Sequence, residues 1–437
     1  MSLNIKRYRY LIPITIIFLW VLIYYWTHRI ISVNIWNWWI INADYFDIEN
    51  TINLFDNTQV HEIKIIITEK EYQNMIDTYA NTLEKDWHRI DVIIDGVLVS
   101  DVWIRLKWKR WLKRIEWIQE KKLIDYDLKL PLFISFNKYV NQTYQWHEMI
   151  SLRVESDWWD LFVEPYTYKL YQEMWQPSPE ESYWLVQIGW KDGKLFLISE
   201  VPEDKYYIQK WFGDDNWILY KAWNFVDFSY LGEDPTLYSD YFTQKTRVSN
   251  YDLSPLIRML KFVTKANDKE FEEKINNYID VESVLTLLAI DDFVWNNDSF
   301  GWMWSNYYLY YHLWEQKFYL LTWDENGAFL GKWWRINRLW MLWYMWLKKT
   351  EWEKLTLRPW DFDDSWVHPS HNSLKERLLQ SEKFKWIYDE TYLKIQEIAL
   401  DSGYSERFFK EWGNRFLDYS KDDNELILLL MQVMERR

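Results

Sequence analysis

The chain has 437 residues, enough for one large domain or two medium ones with a sizeable buried core. Its 51 Lys and Arg against 66 Asp and Glu give a formal net charge of −15, which excludes an extended basic face for nucleic acid. It has no cysteine, which excludes disulfides, thiolate metal sites and a Cys nucleophile.

The seven histidines are scattered, and the close pair His368 and His371 lies in a Pro/Ser/Asn-rich loop beside no third ligand. The composition is most unusual in its 34 Trp against 10 Gly, where glycine ordinarily supplies about 7% of a soluble protein. Trp also stands where glycine chemistry is expected. Trp175 follows a helical pattern and precedes Pro177 and Pro179, the slot of a left-handed C-terminal glycine. Trp314 falls at a hairpin turn, and the doublets Trp38-Trp39, Trp158-Trp159 and Trp333-Trp334 have polar or charged neighbours. We read many of these as glycines of the native protein, encoded by UGA in a lineage that translates it as glycine. The alternative is a truly Trp-rich surface that binds carbohydrate or membrane, and UGA or UGG at these codons decides between them. Trp184 and Trp323 sit in strand contexts that suit a real indole.

Along the chain, Lys6, Arg7 and Arg9 precede an uncharged run of 17 residues from Tyr10 to Trp26. The run is at the short end for a membrane span, longer than a signal-peptide apolar core, and followed by no small-x-small cleavage site. It predicts an uncleaved signal anchor (1–28) with the rest of the chain extracytoplasmic, by the excess of positive charge before it. A polar linker, 29–54, follows. Val60–Thr68 alternates as a strand and Glu69–Leu83 reads helical. Asp91–Ile104 reads as a hairpin turning at Asp95-Gly96. A stretch rich in Lys and Arg, Lys107–Lys122, is too polar for a core strand. A strand at Tyr126–Asn137, a helix at Asp160–Met174 and strands at Tyr183–Ile188 and Lys194–Val201 come next. Asp280 is placed to cap a helix whose apolar residues Val281, Val284, Leu285, Leu288 and Phe293 recur at helical spacing. From Ser373 onward the pattern is amphipathic helix. A strand-rich half (55–205) followed by a helical half (206–437) predicts two lobes with a cleft between them.

The residues richest in chemistry run from Asp291 to Gly327. Strands at about 306–312 and 317–323 form an antiparallel hairpin whose open end brings Asn306 near Asp324, with Asp298 on the preceding loop. A carboxylate beside an amide oxygen suits Mg²⁺, and a separate Asp suits a base that orients an attacking hydroxyl. Asp and Asn at hairpin ends are also ordinary turn formers.

Asn297-Asp298-Ser299-Phe300, Ser305-Asn306-Tyr307-Tyr308-Leu309-Tyr310 and Phe318-Tyr319-Leu320-Leu321-Thr322-Trp323-Asp324 resemble the signature of the CotH family of spore-coat-type atypical kinases. Upstream, Val102-Trp103-Ile104-Arg105-Leu106-Lys107-Trp108-Lys109 is similar to the family's Val-Gly-Ile-Arg-Leu-Lys-Gly-Asn if Trp103 and Trp108 stand for glycine. Lys129-Leu130-Pro131, the strand Lys194–Val201 with Glu200, and Leu219-Tyr220-Lys221 follow in the family's order. The resemblance covers about residues 55–400. It implies an α+β, two-lobed, atypical protein-kinase-like fold behind one N-terminal transmembrane helix, and transfer of the ATP γ-phosphate to protein Ser or Thr with Mg²⁺.

Carried over, Asp298 is the catalytic Asp, and Asn306 and Asp324 are the metal ligands. Lys129 is the candidate lysine for the α/β-phosphates, with Lys121 and Lys122 as rivals, and Glu164 is its ion-pair partner. Arg105, Lys107 and Glu200 are further candidates for nucleotide contact. The lysine is equally readable as a solvated strand residue, Glu164 as a first-turn helix carboxylate, and Arg105 and Lys107 as part of the basic stretch. The family's second acidic position is Asn326 here, and Thr322 replaces its usual Pro. A non-catalytic envelope or adhesion protein on the same scaffold is therefore the alternative. A third reading takes the indoles literally, as platforms for glycans. Reading Trp108, Trp302, Trp304 and Trp314 as glycine would instead leave short turns around a phosphate cleft.

Overall fold

A computed structural model describes residues 46–417 apart from 58, 60, 108–129, 155–159, 215, 224–227, 297, 303–304 and 330–371. The run Tyr10–Trp26, Lys121, Lys122, Lys129, Trp108, Trp304, His368 and His371 lie outside the described residues. Among the described residues no helix is long and apolar enough to cross a membrane.

A short strand β1 (Phe46–Ile48) leads into β2 (His61–Ile66), helix α1 (Glu69–Thr82), β3 (His88–Ile94), β4 (Val97–Leu106), β5 (Leu132–Ser135), β6 (Gln142–Tyr144) and β7 (Met149–Arg153). Helix α2 (Asp160–Glu173) and strands β8 (Glu181–Ile188) and β9 (Lys194–Ser199) complete this part. A closed barrel forms in the order β2-β3-β4-β5-β7-β9-β8, antiparallel throughout except for the β2–β8 pair that shuts it. Alternation dictates which faces go inward. In β2, His61, Ile63 and Ile65 are buried while Glu62, Lys64 and Ile66 face out. The barrel core of Ile63, Val92, Ile104, Leu132, Ile150 and Ile198 is sealed from solvent, at roughly 1.5–3 kcal/mol for each buried side chain.

The β3–β4 hairpin turns at Asp95-Gly96, both with positive φ, 45° and 82°, the conformation that Asp-Gly turns favour. The Asp95 carboxylate accepts the Glu62 N–H at 2.8 Å and meets His61 Nδ1 at 2.8 Å. His61 stacks on Trp184 at 4.5 Å. α1 starts at a capping box between Thr68 and Glu71.

Beyond the barrel come α3 (Lys205–Phe212), β10 (Trp217–Ala222), β11 (Phe242–Gln244), α4 (Ser254–Lys265), α5 (Asp268–Lys274), α6 (Val281–Phe293), β12 (Tyr307–His312) and β13 (Lys317–Thr322). α7 (Ser373–Gln380), α8 (Glu382–Gln396) and α9 (Tyr404–Leu417) follow. The sheet order is β11-β10-β12-β13. The expected hairpin is β12–β13, with β13 at the edge of the sheet, whereas β10, which pairs with β12, and β7 were not read as strands from sequence. Asp280 caps α6 through the Ser283 N–H, as its position predicts. α6 is buried on every face and packs on α8, as an apolar helix inside a domain must. One apolar cluster joins the barrel to the sheet: Phe133 of β5, Val201, Leu219 of β10, and Tyr308, Leu321 and Trp323 of the hairpin. The architecture is mixed α and β, as expected.

Trp146, Trp175 and Trp295 adopt φ of 70°, 57° and 52°, a left-handed region in which a bulky residue is a true outlier. Trp175 closes α2 and is 84% exposed, so its ring makes almost no compensating contact. Trp184 is fully buried, and its Nε1–H donates to Ser182 Oγ at 2.7 Å. The two indoles should therefore respond oppositely to substitution. Trp175→Gly is expected to raise stability by about 1 kcal/mol by removing the Cβ penalty, and Trp184→Ala to lower it by about 3–5 kcal/mol. Urea denaturation midpoints measure both.

Candidate functional site

The site begins where α6 ends. Its last turn carries Asp291 and Asp292, carboxylates set against the unfavourable end of the helix dipole, and both need partners. Asp291 accepts from Tyr171 Oη at 2.8 Å and from the Gly301 N–H at 3.2 Å. Asp292 accepts from Tyr388 Oη at 2.8 Å. These bonds tie the following loop to α2 and α8. Burial raises Asp291 to about 7, although its hydrogen bonds to Ser299, Tyr171 and Gly301 pull it down.

The loop then meets the segment after β13. Buried Asn296 donates to Glu325 Oε2 at 2.6 Å and accepts the Asp298 N–H at 2.9 Å. Gly327 makes this approach possible, because a Cβ there would lie 2.5 Å from Asn296 Oδ1 and 3.0 Å from Asp298 Cβ. Ser305 Oγ donates to Asp298 Oδ1 at 2.7 Å, and Asn306 Nδ2 donates to the Asp298 carbonyl at 2.8 Å. The Trp323 N–H donates in turn to the Asn306 carbonyl at 3.1 Å, one residue before Asp324. The expected meeting of Asp298, Asn306 and Asp324 is therefore made largely through backbone groups. Asn306 and Asp324 both take left-handed φ, 57° and 61°, a backbone strain that accumulates at functional sites.

The barrel supplies cations to the same place. Arg153, at the end of β7, is fully buried and ion-pairs Glu164 of α2 through one terminal nitrogen and Asp324 through the other. Glu164 also accepts from Tyr168 Oη at 2.9 Å and from the Glu325 N–H at 3.1 Å, while Tyr168 Oη receives the Asp324 N–H at 2.9 Å. Burial raises Glu164 to about 7 against the opposing pull of Arg153. Lys107 donates to Ser151 and lies 4.4 Å from the centre of the Trp323 ring. Burial, together with the charges of Arg153 and Lys221, holds Lys107 well below the ordinary lysine value. Lys221 of β10 sits over Tyr308 at 5.0 Å, and burial lowers it too. Arg105 lies between the Trp87 and Phe133 rings at 4.9 and 5.0 Å.

Of the residues singled out in the sequence, Asp298, Asn306, Asp324, Glu164 and Lys107 belong to this connected group, and Arg105 borders it. The ion-pair partner of Glu164 here is Arg153. Glu200 does not join them. It lies just past β9, where its carboxylate accepts from Lys210 Nζ at 2.6 Å and the Glu180 N–H at 2.8 Å. Sequence reasoning passed over Arg153 and Tyr168, and it quoted Lys221 without giving it a role. The available signal for Arg153 was a lone charge inside the apolar alternation of Ile150–Val154.

Among the described residues no group of three or more His, Asp or Glu is placed to hold a metal ion. One carboxylate, Asp324, 22% exposed at its side chain, and one amide, Asn306, make a sparser donor set. That set fits Mg²⁺, which keeps several waters and takes phosphate oxygens, better than a cation needing an all-protein cage.

A family model described as CotH kinase protein matches residues 126–424, and the chain belongs to that family. No curated protein matches the chain. The matched span includes Arg153, Glu164, Asp298, Asn306 and Asp324 and begins after Arg105 and Lys107.

Two stability effects follow from these pairings. Arg153→Met leaves Glu164 buried without its cation and is expected to cost about 3–5 kcal/mol, read as a lowered denaturation midpoint. The raised Asp291 contributes stability that is full below about pH 4 and is lost as pH rises through about 7. Asp291→Asn should therefore make the fall in midpoint between pH 5 and pH 8 shallower.

Proposed function

We propose that this member of the CotH kinase family is an ATP-dependent protein kinase that phosphorylates Ser or Thr hydroxyls, with the barrel as N-lobe (55–205) and the remainder as C-lobe (206–437). The observation that carries the reading is the convergence of Asp298, Asn306 and Asp324 at one hairpin end with Lys107 and the Arg153–Glu164 pair beside them. This is the division of labour of phosphoryl transfer: a hydroxyl-orienting Asp, an Asn–Asp metal pair, and a cation seated by a helix carboxylate.

Asn306 and Asp324 would hold Mg²⁺, which when bound neutralises charge on the phosphates. Lys107 and Lys221 would hold the phosphate chain, with Arg105 at its margin and Arg153 fixing Asp324 and Glu164 behind them. Ser305 and the Asn296 amide fix Asp298 in one orientation. From there Asp298 accepts the proton of the substrate hydroxyl as its oxygen bonds to the γ-phosphorus and the bond to the departing diphosphate breaks. Lys129 remains a candidate for phosphate contact from the adjoining basic segment. The uncharged run Tyr10–Trp26 after Lys6, Arg7 and Arg9 supports a single membrane anchor with an extracytoplasmic catalytic region. The local geometry of Trp175 supports a glycine there in the native chain.

The second reading, a non-catalytic scaffold, is favoured by Asn326 at the position where the family usually has an acid. Labelled γ-phosphate transfer separates the two. Asp298→Ala is expected to lower transfer by about 10²–10⁴-fold while nucleotide still binds, and Asp324→Ala to remove its Mg²⁺ dependence together with transfer. Nucleotide binding without transfer in the wild type would favour the scaffold reading. No nucleotide binding at millimolar Mg²⁺ would overturn the kinase reading.

A further inference from the structure

A lysine is out of place at the start of α7. Asn372 caps that helix, its side-chain oxygen accepting the N–H groups of Leu374 and Lys375 at 3.1 and 3.0 Å. Lys375 therefore stands in the first turn, at the positive end of the helix dipole, where an acid stabilises and a cation does not. Asp292 has the converse problem in the last turn of α6. The two misplaced charges face each other, with Lys375 Nζ 4.0 Å from Asp292 Oδ1 and Tyr388 Oη on the other oxygen at 2.8 Å. Neither helix gains from its own residue, and local rules are broken in this way mostly where a site requires it.

What the lysine holds is the loop that carries Asp298. Its Nζ donates to the Gly301 carbonyl at 2.6 Å, and the Gly301 N–H donates to Asp291 Oδ2 at 3.2 Å. Both backbone groups of Gly301 are thus held beside the end of α6. A Cβ there would lie 3.4 Å from Asp291 Oδ2 and from Leu288 Cδ2, so the loop rests close against the helix. From this anchor the bonds lead back to Asp298. The Trp302 and Ser305 N–H groups donate to the Ser299 carbonyl at 3.3 and 3.4 Å, and Ser305 Oγ donates to the Asp298 carboxylate. Asn296 fixes the near side of the loop and Gly301 its far side. Lys375 Nζ also stands 5.5 Å from the centre of the Trp302 ring, but its hydrogen bond is to backbone and would survive a glycine at 302.

Resting on the kinase reading above, we infer that Lys375 is a positioning residue for phosphoryl transfer. By holding the Gly301 carbonyl and opposing the charge of Asp292, it keeps the Asp298 carboxylate aimed at the substrate hydroxyl. The contact joins residues 74 apart in sequence, so the orientation of Asp298 depends on how α7 is seated. Lys375 acts through the loop and not on the phosphates. Its loss should therefore slow transfer and leave nucleotide affinity alone.

The test is labelled γ-phosphate transfer by the full chain, paired with amide hydrogen exchange read by mass spectrometry. Lys375→Met should lower kcat about ten- to a hundredfold with KM for ATP unchanged. It should also speed exchange across residues 298–306 while α6 and α8 stay protected. Lys375→Arg, which still donates to the carbonyl, should restore most of both. Lys375→Met combined with Asp292→Asn removes the buried charge that the single change strands, and should stay slow. Wild-type kcat in that double variant, or unchanged exchange in the loop, would overturn the role. So would a loss of ATP binding and of α6 and α8 protection that arginine does not restore, since that is general destabilisation. Absence of transfer in the wild type would remove the kinase reading and this role with it, whereas loop exchange would still decide the contact itself.

Discussion

Arg153 is sealed from solvent between Glu164 and Asp324, and a guanidinium in that position is stable only while its carboxylates stay in place. The three residues come from different parts of the chain: the end of a barrel strand, a helix, and the segment after the β12–β13 hairpin. Holding them together therefore fixes the barrel, α2 and the hairpin relative to one another. Tyr168 and the backbone of Glu325 close the same knot, since both bond to the Glu164 carboxylate. The planar fork of arginine suits the task. A lysine ammonium would have to satisfy both carboxylates from one point.

Around this knot the backbone is strained in a consistent way. Asn306 and Asp324 enter and leave the hairpin in left-handed conformations, and the two are linked through the Trp323 N–H. Neither conformation is favourable for its own sake, although Asn and Asp tolerate it better than most residues. They persist because Asn296, Ser305, Tyr168 and Arg153 each hold part of the turn. Gly327 contributes by absence, since any side chain there would drive apart the two loops that carry Asp298 and Asp324. Trp175, also left-handed, has no comparable support. Trp175 is held by helix-terminal hydrogen bonds alone and points into solvent.

Much of this was legible in the sequence, for reasons of short-range chemistry. Asp95-Gly96 specifies a turn, Asp280 caps a helix, and the alternation of β2 decides which of its residues go inward. The β12–β13 hairpin was readable because its strands are adjacent and similar in length, so Asn306 and Asp324 fall at its open end by register alone. The family resemblance rested on the same contiguous residues. What escaped was non-local. β7 is short, and β10 pairs on one side with the next strand, β11, and on the other with β12, far along the chain. Glu200 was singled out through the family likeness of the strand Lys194–Val201, but α3 brings Lys210 back onto it.

The sequence by itself determined the local turns, the caps, the alternation of the barrel strands, the hairpin that carries Asn306 and Asp324, and the oddity of its tryptophans. Each depends on residues within a few positions of one another. Only the tertiary structure decided that Arg153 is the partner of Glu164, that it shares itself with Asp324, and that Lys107 and Lys221 converge from separate sheets on the same point. The physical reason is that a buried charge is tolerated only where several distant segments supply its partners together. No spacing within one segment records such an arrangement.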